Sequence, residues 1–227
     1  MKIDILDHGY VKLIDSMGSD LSVVNAARAS FEKESHEFDT KDERLLNFLW
    51  REGHHSPFRH AALTLEVYAP LMVARQLWKY AVASAHLDDQ NGWNESSRRY
   101  ITEDIILHTP AEWRSAPDNK KQGSGGPIDP EVGEWYTERL SRLHEQSVLL
   151  YEALLDSGVA PEQARLALPA YAMYVRWRWT MSLAGLMHVL TERLPHDAQF
   201  ETQLYAKGIY TCSKATFPKS LGLMGLD

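Results

Sequence analysis

The stretch "AALTLEVYAPLMVARQLWKYAVAS", residues 61–84, changes its period halfway along, and that change decides the fold class. Up to Ala69 the apolar residues alternate, with Leu63, Leu65 and Val67 on one face, which is the pattern of a strand. After Pro70 the spacing becomes helical. A strand feeding straight into a helix points to a mixed α/β or α+β domain, and the flanking segments extend that reading. "KIDILDHGYVKLID" alternates around an Asp7-His8-Gly9 turn and reads as two short strands. "LSVVNAARAS" is helix-like with Asp20 as N-cap, and Thr40 with Glu43 forms a capping box for a helix that Gly53 ends. "HHSPFRH" is a loop, and "RRYITEDIIL" is strand-like.

Further on, residues 109–130 form a loop rich in Pro, Gly, Ser and Lys, long enough to be a functional element. The longest helix starts near Pro130 and stops before Gly158, and Pro161 opens a short one. "AMYVRWRWT" alternates apolar and basic residues, "LAGLMHVLTERL" is helical, and "DAQFETQLYAKGIYTCSKA" reads as a last amphipathic helix. With 227 residues and 44% hydrophobic content the chain can bury one large core, so we expect a single domain over 1–227 with more helix than strand.

The net charge is −7, with no run of like charge suited to nucleic acid or an anionic membrane, so an anionic ligand must be held by local arginines. No apolar stretch is long and uninterrupted, the first residues lack a signal peptide's apolar region, and there is one cysteine, Cys212; a cytoplasmic protein is expected. Arg75, Arg165, Arg176, Arg178 and Arg193 stand among apolar residues, where a buried guanidinium would need an anion. That anion could be a phosphate ligand or a structural carboxylate. "NESSRRY", residues 94–100, reads as an anion pocket or a solvated turn. His54, His55 and His60, with Asp88 and Asp89, match no zinc spacing, so no metal is expected. Cys212 reads as a buried structural cysteine, and Trp177 and Trp179 as core.

Along nearly its whole length, through "NAARASF", "GHHSPFRH", "APLMVARQ", "NESSRRY", "GVAPEQARLALP" and "GLMHVLTERLPHDAQFE", the chain resembles the flavin-dependent thymidylate synthases. The resemblance implies a homotetramer of α/β subunits that methylates dUMP to dTMP with FAD, NADPH and methylenetetrahydrofolate, at sites shared between subunits. It implies that Gln76, Lys79, Glu95, Ser96, Ser97, Arg98 and Arg99 contact dUMP, and that Arg165 reaches the phosphate from a neighbouring subunit. Arg193 would face the uracil ring as the catalytic residue. Ser30, Ser56, Lys79, Tyr80, Ala81, Glu95, Ser182 and His188 fall at flavin-contacting positions.

The departures are local. The family's hallmark, Arg-His-Arg and then Ser a short distance on, is here Lys79-Tyr80-Ala81, and the insert "AHLDDQNGW" delays Ser97. Arg59 replaces a common acidic residue, and Ala184 stands where an arginine often contacts FAD. The "SAPDNKKQGSGGP" loop is expected to replace the missing flavin contacts. Two further readings keep the same clamp: another flavin-dependent pyrimidine modification, such as hydroxymethylation, and a nucleotide-binding relative without catalysis.

Overall fold

The computed structural model describes residues 1–83, 92–118 and 123–225, and for residues 80–83 the backbone alone. Five strands, β1 (Lys2–Ile5), β2 (Gly9–Met17), β3 (Ala62–Pro70), β4 (Gly92–Glu95) and β5 (Tyr174–Ser182), form one sheet in the order β1-β2-β3-β5-β4. Every pairing is antiparallel, so the mixed class is α+β. The strand-then-helix reading holds: β3 buries Leu63, Leu65 and Val67, and α3 (Leu71–Ala83) follows it directly. On β5 the alternation buries Val175, Trp177, Trp179 and Met181 and leaves Arg176 and Arg178 exposed. Arg178 lies opposite Glu66 on β3.

Helices α1 (Asp20–Arg28), α2 (Thr40–Arg51), α6 (Leu183–Arg193) and α7 (Phe200–Lys214) complete the main core, while α4 (Pro130–Asp156) and α5 (Pro161–Ala164) enclose a smaller cluster around Tyr151, Ala164 and Leu168. No helix among the described residues is long and apolar enough to cross a membrane. Helix α7 presses onto the β1–β2 hairpin, and glycine makes the approach possible. A Cβ on Gly9 would lie 1.7 Å from the Tyr205 hydroxyl, and one on Gly208 would lie 2.5 Å from Ile5 Cδ1.

Several boundaries differ from expectation because side chains found other partners. Ser19, not Asp20, caps α1; the Asp20 carboxylate instead accepts the N–H groups of Lys219 and Ser220 at 2.8 and 2.9 Å, holding a further helix, α8 (Pro218–Gly222), after the one expected to be last. Asp39 caps α2, one residue before Thr40, because Asp42 closes the box by accepting the Asp39 N–H. "HHSPFRH" contains a 3₁₀ turn, Ser56–His60, that buries Pro57 and Phe58. The strand expected at "RRYITEDIIL" does not form, and only Leu107 makes an isolated bridge to Met173. Arg98 takes the carbonyls of Ile101, Glu103 and Asp104 at 3.3, 2.6 and 3.1 Å, and Asp104 turns the chain at φ 51°, which removes the acceptors a strand needs.

Candidate active site

Three clefts collect the residues singled out above. The largest, 980 Å³, lies where the end of α1, the helix α2 and the Ser56–His60 turn meet, and it is lined by Ser30, Phe31, Lys33, Phe48, His54, His55, Ser56 and Arg59. Its rim is braced from within. Arg28 donates to Asp42 through Nε at 3.1 Å and through a terminal nitrogen at 2.5 Å, and Asn25 and Ser35 exchange two bonds of 2.8 Å. Burial alone would raise the Asp42 carboxyl; bonds from Arg28, the Asp39 N–H and Ser35 outweigh it and hold it below the usual carboxylate range. His55 is pushed down by burial and by the charges of Arg59, His188 and His54, so the imidazole is neutral at pH 7. That interaction also brings His188 of α6 close to the turn. Among the described residues no acidic side chain lines the cleft, and Phe31 and Phe48 expose aromatic surface to it. Such a cleft suits an anionic ligand with flat rings.

The second cleft, 510 Å³, runs between Arg75, Gln76 and Lys79 on α3 and a wall made of Arg114, Gly123, Ser124, Gln199, Phe200 and Glu201. The third, 630 Å³, is lined by Ser96, Ser97, Arg98, Tyr68, Tyr174 and Arg176. Ser97 Oγ accepts from the N–H and the Nε of Arg99, at 3.3 and 3.4 Å, so these two side chains are preset against each other. Ser96 is committed to the backbone: its hydroxyl accepts the Arg176 N–H at 3.1 Å. Arg98 is the stay of the following loop, and Arg99 is left as the exposed guanidinium. Crowding raises the Glu95 carboxyl, and a bond from Trp93 and the charge of Arg75 pull it back; the residue still keeps much of its surface in solvent, which limits the effect.

Of the arginines expected to be buried, only Arg193 is, at 2% exposure. Arg75, Arg165, Arg176 and Arg178 are exposed, because helix and strand periodicity turns them to the outer faces. Arg193 ends α6, where the helix dipole favours a cation. Burial pushes its pKa down and the Asp197 carboxylate pulls it back up, and a guanidinium stays charged throughout. Arg193 and Arg165 line none of the three clefts; Arg165 Nε donates to the Glu162 carbonyl at 3.3 Å. Ser182 is buried and caps α6 by accepting the Gly185 N–H at 3.2 Å, and Ala184 is buried behind it.

The chain thus brings Ser30 and Ser56 to one cleft with His188 near its His55, brings Gln76 and Lys79 together, and keeps Ser97 and Arg99 apart from both groups. The side chains of Tyr80 and Ala81, most of the insert with Asp88 and Asp89, and part of the expected flavin loop lie outside the described residues. The described end of that loop, Gly123 and Ser124, stands at the cleft of Lys79 and not at that of Ser30 and Ser56. Sequence reading missed Arg114, Phe200 and Glu201; Trp113-Arg114 amid small polar residues was the available signal. Cys212 is buried, its Sγ donates to the Val11 carbonyl at 3.6 Å, and burial raises its thiol pKa. Among the described residues no group of three or more His, Cys, Asp or Glu is placed to hold a metal ion.

The model of the family described as "Thymidylate synthase complementing protein" matches residues 12–219. The flavin-dependent thymidylate synthase of Thermotoga neapolitana is 39% identical over 209 residues, which is 92% of this chain and 87% of that protein. Its counterpart from Thermus thermophilus is 34% identical over 96% of this chain and 76% of that protein. A crystal structure of the UMP/dUMP methylase PolB from Streptomyces cacaoi bound with 5-Br dUMP superposes with a TM-score of 0.81 at 28% identity, covering 98% of this chain and 97% of that one. The 5-Br UMP complex of the same methylase gives 0.79 at 27% identity, covering 98% and 96%. A match that runs from the second strand into the last helix takes in all three clefts, and the chain belongs to the flavin-dependent thymidylate synthase family.

Proposed function

We propose that this chain methylates C5 of dUMP to give dTMP, with FAD, NADPH and methylenetetrahydrofolate, as a cytoplasmic homotetramer. The observation that carries the reading is the 980 Å³ cleft, where Ser30 and Ser56, distant in sequence, converge on a basic, aromatic and acid-free wall, with His188 near His55 behind it. The donor set fits a flavin dinucleotide: hydroxyls and cations for its phosphates, Phe31 and Phe48 for its rings. When bound, reduced FAD supplies the hydride and the folate supplies the carbon.

The chain's own share is anchoring and electrostatics. Ser97 and Arg99 hold the nucleotide phosphate as a preset pair, and Arg165 of another subunit adds a second guanidinium. Gln76 and Lys79 orient the nucleotide from α3. Glu95 lies between nucleotide and flavin, with Arg75 near it. Arg193, fixed by burial and by Asp197, stabilises negative charge developing on the uracil ring. With Ser96 and Arg98 bonded to backbone, their share is to shape the clamp. Self-association is supported by exposed Leu143, Leu149 and Leu150 on α4 and by Leu166, 83% exposed beside Arg165.

A second reading is methylation of UMP as well as dUMP, favoured by the likeness to a UMP/dUMP methylase over 98% of the chain. The experiment offers each nucleotide to the purified protein with FAD, NADPH and methylenetetrahydrofolate and weighs the products by mass spectrometry. We expect dTMP from dUMP. A hydroxymethyl product, or a colourless protein that takes up no FAD and makes nothing, overturns the proposal.

A further inference from the structure

The two arms 113–118 and 123–128 are tied to each other and to the rest of the fold. The Ser115 N–H donates to the Gly126 carbonyl at 2.9 Å and the Ile128 N–H to the Trp113 carbonyl at 3.0 Å. The Trp113 indole donates to the Thr137 hydroxyl of α4 at 2.9 Å. Between the arms, Arg114 Nε donates to Ser124 Oγ at 2.8 Å, and the guanidinium pairs with the Glu201 carboxylate and stands 4.4 Å from the centre of the Phe200 ring. The Arg114 and Glu201 side chains are only 19% and 8% exposed, so this pair is shielded where a surface pair would be screened. Gly123 passes so near the α6–α7 connection that a Cβ would lie 3.2 Å from the Asp197 carbonyl oxygen.

The arms therefore brace the segment that carries Asp197, the counter-charge of Arg193, and the wall of the 510 Å³ cleft facing Gln76 and Lys79. We propose that Arg114 is a positioning residue for the pyrimidine nucleotide: by tying Ser124 to the first turn of α7, it fixes the cleft wall that faces Gln76 and Lys79. The inference rests on the dUMP reading above. Arg114 acts through Ser124 and Glu201, so its loss should weaken nucleotide binding more than the flavin, which is proposed above for the 980 Å³ cleft.

The test is calorimetric titration of FAD-loaded protein with dUMP, beside flavin content and turnover. Arg114→Ala should raise the dUMP Kd and KM about tenfold, the scale for a lost charged hydrogen bond, with kcat within a few-fold and FAD retained. Arg114→Lys keeps a charge for Glu201 without the fork that also reaches Ser124, and should recover part of the loss. Ser124→Ala leaves the ion pair intact and should cost about threefold; it carries the test if Arg114→Ala does not fold. A dUMP Kd within twofold of the parent in the folded variants overturns the proposal alone, as does equal loss of FAD and dUMP. A parent protein that takes up FAD and binds no dUMP overturns the nucleotide reading and this proposal together.

Discussion

The cleft proposed for the flavin and the clamp proposed for the nucleotide are built in opposite ways. Most of the cleft comes from one continuous stretch, residues 27–59, closed on itself by the Arg28–Asp42 pair and the Asn25–Ser35 bonds, with α6 as its backing. The clamp is dispersed: Ser97 and Arg99 follow the edge strand β4, Gln76 and Lys79 sit on α3, and Arg165 points outward from a 3₁₀ turn. A wall preset by one stretch of chain is suited to a cofactor that stays bound. A substrate that must come and go can be held by groups that meet only when subunits meet, and the exposed leucines of α4 together with Leu166 beside the exposed Arg165 fit that arrangement.

The comparison can be broken first at Arg193, the buried guanidinium that ends α6. Arg193→Ala should lower kcat about 100-fold or more at saturating dUMP, the scale for one preorganised donor. Full turnover in the folded variant removes its catalytic role. Next comes the claim that the clamp is shared. Arg99→Ala and Arg165→Ala should each weaken dUMP roughly tenfold or more, and the two variants, dissociated and reassembled together, should regain part of the activity. A mixture no better than either variant shows that each chain has a site of its own. The cleft built from one stretch makes a smaller prediction: Ser30→Ala and Ser56→Ala should each weaken FAD about fivefold in a flavin-fluorescence titration while the dUMP affinity stays level. If dUMP weakens equally, the two sites are not separate.

The smallest effect belongs to Cys212. A thiol nucleophile needs a lowered pKa and access to the substrate, and Cys212 has a raised pKa and is buried against β2. Cys212→Ser should keep dTMP formation within a few-fold of the parent, on the order of the cost of burying a hydroxyl. A folded, FAD-loaded variant without activity would make the thiol a participant in the reaction.

Periodicity and punctuation determined the elements. The alternation of Leu63, Leu65 and Val67, the RWRW pattern of β5, and the Pro130 and Gly158 bounds of α4 are local, and each was legible because backbone geometry ties side-chain direction to sequence spacing. The order of motifs likewise identified the family without coordinates. Spacing could not tell which polar groups were already engaged. Asp20 left its own helix to hold α8, Arg98 turned a strand into a loop, Ser182 went to a helix cap, and Arg114 found Glu201 across 87 positions of chain. Hydrogen bonds and ion pairs of that kind depend on which segments the core brings within about 3 Å, and this is a property of packing that no local pattern carries. The sequence alone therefore named most of the elements, the family and most candidate residues; the tertiary structure decided that one cleft is built from a single stretch, that the clamp residues are scattered over the surface, and that the described arms of the 113–128 loop stand beside Gln76 and Lys79.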